Sequence, residues 1–275
     1  MRFVSFHDGG SARLGVIETQ SVVPVPIEQP GVASGLGAAL RAGLDLIAAG
    51  RAALASDAPR LAYATLELLP PVPDPGRVLC FQDRTGGAAD APCFVPRNPA
   101  SLLAARESGR RPADAGRFEA GAGLAIIIAE RARNRTRVDA LDCVLGYSCF
   151  SDLAVRGDWI QTPPPVPGTM LDGPAAFGPS LVSRDELPPG ADELRIQCRL
   201  DGIVIHEANT SDFPCTVAEA IVQLSAAMTL EPGDVITLGL PMGAGMMRMR
   251  PAGMAPVGRV EVDIDRIGVL TNTVG

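Results

Sequence analysis

The sequence predicts a mixed α+β fold that is mostly β, with a small N-terminal α+β domain over residues 1–70 and a larger domain over 71–275. Three observations carry that reading. Short apolar or alternating runs bounded by Gly, Pro and Asp recur along the chain, and only a few stretches show helical spacing. A proline-rich stretch, Pro70-Pro71-Val72-Pro73-Asp74-Pro75-Gly76, reads as a linker between the two parts. The 275 residues suffice for both, and the 47% that are hydrophobic must build an aliphatic core, because aromatics are 4%.

Taken in order, Arg2 to Phe6, Leu14 to Glu18 and Ser21 to Val25 are short strand-like runs separated by turn residues such as Gly9-Gly10. Leu36, Leu40, Leu44 and Ile47 recur at helical spacing, which predicts a helix over 36–55. Arg77 to Phe81 and Leu124 to Ala129 read as apolar strands, the second buried on both faces. Leu194 to Leu200 alternates, and Asp201-Gly202 turns it into a hairpin with Ile203 to His206. Thr216 and Glu219 form a capping box before a helix whose inner face is Val217, Ile221, Leu224 and Met228. Glu231-Pro232-Gly233-Asp234 turns into a strand over Val235 to Leu238, and Arg259 to Asp265 alternates again.

Composition excludes several functions. All 24 basic residues are arginine, so neither a Schiff base nor a general base can come from lysine. A net charge of −7 argues against nucleic acid as a partner, since counterion release needs a basic excess. No apolar run reaches the roughly 18 residues that span a bilayer, and no signal peptide is evident, so no membrane partner is expected. Six cysteines without C-x-x-C pairs fit reduced thiols, and the expected location is cytoplasmic. The basic run Arg131 to Arg137 reads as a solvated loop.

From Pro70 onward the order of segments resembles the fumarylacetoacetate hydrolase superfamily. The matching pieces are Pro-Asp-Pro-Gly-Arg-Val-Leu-Cys at 73–80, Leu-Ala-Ile-Ile-Ile-Ala-Glu-Arg-Ala-Arg-Asn at 124–134 and Ala-Leu-Asp-Cys-Val-Leu-Gly-Tyr at 140–147. Ser-Asp-Leu-Ala-Val-Arg at 151–156, Asn-Thr-Ser-Asp at 209–212 and the long run from Met228 to Gly245 complete the set. The resemblance implies a twisted β-roll or β-sandwich with a small N-terminal domain, a homodimer, and a divalent metal that polarises a 2-oxo or 1,3-diketo acid.

Against that pattern, the family's Glu-x-Glu, whose carboxylates share one face of a strand, falls on Gly121 and Gly123. The third ligand survives as Asp152, with Glu119 available only if a site is rebuilt; on this reading no metal and no cofactor are expected, magnesium or manganese being the alternative. The family lysine of Phe-x-Lys-Pro aligns with Arg97, a second lysine with Thr169, and the carboxylate-binding Thr-Gly-Thr-Pro reads Leu238-Gly239-Leu240-Pro241. The candidate catalytic residues are Asp152, Arg156, Asp172 and Arg97. The candidate substrate-binding residues are Gln82, Arg84, Gly121, Gly123, Thr169, Leu238, Leu240, Met242 and Met246.

Trading carboxylates and hydroxyls for glycine and leucine enlarges and dries the cleft. The expected function is therefore a metal-independent cyclase or isomerase of an apolar, carbonyl-containing, polyketide-like small molecule in bacterial secondary metabolism. The alternatives are a metal-dependent hydrolase or decarboxylase of 2-oxo or 1,3-diketo acids with rebuilt ligands, and a non-catalytic binding protein.

Overall fold

The computed structural model describes residues 1–27, 35–82, 93–109, 117–156, 175–239 and 258–274. Their strands are β1 (Arg2–Asp8), β2 (Ser11–Glu18), β3 (Ser21–Pro24), β4 (Leu61–Ala62), β5 (Val78–Gln82), β6 (Cys93–Arg97), β7 (Leu102–Leu103) and β8 (Ser108–Gly109). They continue with β9 (Arg117–Ile128), β10 (Val144–Arg156), β11 (Ala175–Ser183), β12 (Arg195–Leu200), β13 (Ile203–Asn209), β14 (Val235–Gly239), β15 (Arg259–Ile264) and β16 (Gly268–Val274). The α-helices are α1 (Leu36–Arg41), α2 (Leu46–Ala55) and α3 (Val217–Ala227). The mostly β, mixed architecture expected from the sequence is what these elements build.

An 11-stranded sheet runs β4-β3-β2-β1-β11-β10-β9-β14-β5-β6, with β7 added beside β11, and a second, 5-stranded sheet runs β13-β12-β15-β16-β8. Pairing of β1 with β11, Arg2 opposite Val182, continues the large sheet into the N-terminal strands. Central strand β9 is buried on both faces: Leu124, Ala125, Ile126, Ile127 and Ile128 are all solvent-free. Its even-numbered residues face a core shared with Ile196, Val262, Ile264 and α3. Ala125 and Ile127 face a second core that includes Phe3, Leu14, Leu36 and Leu46 from the N-terminal strands and helices.

The hairpin at Asp201-Gly202 forms as predicted, both residues with positive φ, as a two-residue turn matched to strand twist requires. Two expectations need revision. The helix over 36–55 is two helices, broken at Gly43 (φ 76°), after which the Asp45 carboxylate caps α2 by accepting from the Ala48 amide. The proline-rich stretch is a packed strap, with Pro71, Val72 and Pro75 buried and the Ser5 hydroxyl donating to the Pro71 carbonyl at 2.8 Å. Just before it, the Leu69 amide donates to the Ser5 carbonyl and fixes the strap along β1. The basic run is the exposed loop expected, and it is tied to α3: Arg133 Nη1 donates to the Ser225 and Ala226 carbonyls at 2.6 Å, and Arg137 pairs with Glu219 at 2.7 Å. Orphan carbonyls at a helix C-terminus attract cations, which explains the anchoring. Among the described residues no helix is long and apolar enough to cross a membrane.

Candidate functional site

Strand alternation and register collect one set of residues on a single face of the large sheet. Asp152 and Phe150 of β10 stand opposite Gly121 and Gly123 of β9. Gly123 in turn faces Gly239 of β14, and Ala125 faces Thr237. Thr237 is beside Cys80 of β5, and Val78 of β5 is opposite Arg97 of β6.

Arg97 Nη2 donates to Asp152 Oδ1 at 2.5 Å. The two residues sit on strands separated by β9, β14 and β5. In a flat sheet four strand spacings span roughly 19 Å, beyond the combined reach of an arginine and an aspartate side chain. The contact therefore requires the sheet to curl so that β6 turns back toward β10, and the ion pair bridges the concave side.

The pair is asymmetric in its exposure: the Arg97 side chain is 4% exposed and that of Asp152 32%. Burial opposes the charge of Arg97, but attraction to Asp152 outweighs it and raises the guanidinium pKa. Burial likewise pushes the Cys80 thiol up, against the pull of Arg97, so it stays neutral. The guanidinium also lies 5.9 Å from the centroid of the Phe150 ring, a cation–π distance. Its Nε and Nη1 groups are buried and have no hydrogen-bond partner among the described residues. Unpaired N–H donors on a buried cation are a costly arrangement.

The glycines differ in the room they leave. A β-carbon at Gly123 would lie 2.7 Å from the Leu238 carbonyl oxygen, whereas one at Gly121 would find nothing closer than the Asp152 carbonyl oxygen at 3.5 Å. Position 123 is thus closed to side chains without backbone movement, and position 121 is open.

Of the residues predicted from sequence, the fold brings together Arg97, Asp152, Gly121 and Gly123. Leu238 alternates to the other face, buried in the core with Leu124 and Ile236, so its carbonyl rather than its side chain faces the glycines. Gln82 ends β5 and Arg156 ends β10 at register positions in line with Cys80 and Asp152, and Glu119 stands opposite Ala154; their side chains lie outside the described set. Arg84, Thr169, Asp172, Leu240, Met242 and Met246 also lie outside the described residues. Cys80, Phe150, Thr237 and Gly239 were missed. Counting alternate residues back from Asp152 would have found Phe150, but the other three depend on strand order, which local patterning does not carry. A separate cavity of about 200 Å³, lined by Leu141, Ala191, Thr210, Phe213 and Cys215, opens at the N-terminal end of α3.

Residues 81–275 match the family model described as fumarylacetoacetate (FAA) hydrolase C-terminal. A maleylpyruvate hydrolase of Aquipseudomonas alcaligenes is 32% identical over 250 residues, covering 83% of this chain and 82% of the relative. The mitochondrial oxaloacetate tautomerase fahd2 of Xenopus laevis is 27% identical over 290 residues, covering 100% of this chain and 90% of the relative. Among solved structures, maleylpyruvate hydrolase from Sphingobium sp. SYK-6 in complex with manganese(II) ion and pyruvate superposes with a TM-score of 0.80 at 27% identity, covering 100% of this chain and 98% of that one. That complex corrects the expectation that no metal or cofactor belongs to this site: a neighbour of the same fold and extent carries a divalent ion.

Proposed function

The chain belongs to the fumarylacetoacetate hydrolase family, and from that premise we propose that it is an enzyme that isomerises an enolisable carbonyl compound at the face carrying Arg97 and Asp152. The relatives named above are enzymes acting on small molecules, which supports catalysis over a purely binding role. One observation carries the choice of chemistry: Nε and Nη1 of the buried Arg97 guanidinium have no hydrogen-bond partner among the described residues, and the guanidinium lies beside a carboxylate. In this reading a substrate carbonyl oxygen accepts from Arg97, and Asp152 takes a proton from the adjacent carbon. The electrons of that C–H bond move onto the oxygen, Arg97 stabilises the resulting enolate, and the proton returns at a different atom to give the isomer. The apolar residues around this face, Val78, Ala125 and Phe150 among them, exclude water and strengthen both interactions.

A divalent cation belongs to this reading, because the Sphingobium neighbour binds manganese with pyruvate. When bound, such an ion supplies Lewis acidity at a carbonyl oxygen. The described residues do not complete a coordination sphere for it: Asp152 is engaged by Arg97, and no group of three His, Cys, Asp or Glu converges among them. No step above is routed through the ion.

A second reading, hydrolysis of a 2-oxo or 1,3-diketo acid, is favoured by the 32% identity to a maleylpyruvate hydrolase. One assay separates the two. Enol oxaloacetate and acetylpyruvate are followed by ultraviolet absorbance, with Mn²⁺, Mg²⁺ or a chelator, and products are resolved by chromatography. Isomerisation without C–C cleavage, reduced about 100-fold in Arg97→Met and in Asp152→Asn, is the expected result. Unchanged turnover in Arg97→Met removes the proposed role, and cleaved products transfer the assignment to the hydrolase.

A further inference from the structure

The charge of Asp152, the one carboxylate described at this face, is already answered from within the chain. Arg97 Nη2 lies 2.5 Å from Asp152 Oδ1, so the pair as a whole is neutral. The neighbouring strand adds no charge there: Gly121 stands directly opposite Asp152 and Gly123 follows two residues along. Among the described residues no group of three His, Cys, Asp or Glu converges. A divalent ion is normally held by several oxygens that carry more than one negative charge between them. The face departs from that requirement in a particular way, because the place beside its carboxylate is taken by a cation of the chain itself.

That cation is firmly held. Its side chain is 4% exposed, its guanidinium lies 5.9 Å from the centroid of the Phe150 ring, and Cys80 stands beside it. Strand β6, which carries it, pairs with β5 from Val78 opposite Arg97 to Gln82 opposite Cys93. Asp152 differs, with 32% of its side chain exposed, so an ion arriving from solvent can reach it. Such an ion meets the guanidinium across a single carboxylate. Repulsion between a charge of two and a charge of one is twice that between unit charges, and apolar surroundings screen it poorly.

We propose that Arg97 is a built-in competitor for the divalent ion. By neutralising Asp152 it lowers the affinity of this face for Mn²⁺ or Mg²⁺, and it is the residue that sets how tightly this chain takes such an ion. The inference concerns binding and does not depend on the reaction proposed above.

Titration with Mn²⁺ alone, the free ion being read by electron paramagnetic resonance, measures the affinity without turnover. Arg97→Met is expected to bind Mn²⁺ about tenfold more tightly than the parent protein or better. Arg97→Gln, neutral but still a hydrogen-bond donor, is expected to show the same gain, which assigns the effect to charge and supplies a second variant should one fail to fold. Asp152→Asn added to either is expected to abolish the gain. Affinity unchanged or weakened in a folded neutral variant, no Mn²⁺ binding by these variants at millimolar concentration, or a gain that survives Asp152→Asn would each overturn the proposal. Loss of the isomerase reading in the turnover assay leaves it untouched.

Discussion

Arg97 and Asp152 carry unequal burdens in their ion pair, because Arg97 is almost fully buried while Asp152 keeps a third of its side chain in water. Removing the carboxylate strands a buried cation, so Asp152→Ala is expected to lower unfolding stability by roughly 3 kcal/mol. Arg97→Met, which leaves a partly solvated carboxylate and fills the same volume, should cost distinctly less; paired urea titrations check the order. Asp234, in the turn that leads into β14, is a second case. Its carboxylate is buried, pairs with Arg77 at 2.7 Å and accepts from the Glu231 amide at 2.9 Å, so Asp234→Ala should cost about 3 kcal/mol. Sequence could point to Arg97, Asp152, Gly121 and Gly123 by resemblance, because those positions lie in recognisable segments. It could not show that Arg97 holds Asp152, since the two are 55 residues apart and the contact depends on curvature. Nor could it show that Cys80 and Thr237 stand beside them.

Helix α3 shows how much of an element local chemistry can specify. Its N-terminus is closed by the reciprocal bonds of Thr216 and Glu219, at 3.2 and 2.9 Å, and that capping box is plain in the sequence. Thr216→Ala should therefore destabilise the protein by about 1 kcal/mol, read as a fall in thermal midpoint. Its C-terminus is closed from a distance by Arg133, some 92 residues away in the chain, which no local pattern announces. The break between α1 and α2 was legible in principle, as Gly43 followed by Asp45, but the leucine spacing continues across it and hides the interruption. In β9 the glycines divide by their surroundings. Gly123→Ala meets the Leu238 carbonyl at 2.7 Å and should cost about 1–3 kcal/mol, whereas Gly121→Ala should be tolerated. Parallel denaturation of the two variants decides the point.

At the scale of the whole molecule, thiol chemistry reports on the packing of both cores. Cys80, Cys143, Cys149, Cys198 and Cys215 are buried and Cys93 is partly exposed. Burial pushes Cys149 and Cys198 up to about 12 and Cys215 to about 11. A maleimide titration near pH 7 is accordingly expected to modify one thiol in the native protein and six after unfolding, with mass spectrometry counting the adducts. The fold class was readable because turn residues and alternation report strands wherever they fall. The sheet order was not, because pairings such as β1 with β11 join residues about 180 positions apart, and nothing in either strand names its neighbour. The proline strap failed as a linker for the same reason, its anchor being Ser5 on β1. One consequence of the curl remains. A sheet bent until its sixth strand touches its tenth behaves like a hoop tied at a single knot. Any compound that grips both ends of the knot tightens the hoop, so a true ligand should raise the melting temperature of the entire large sheet, N-terminal strands included.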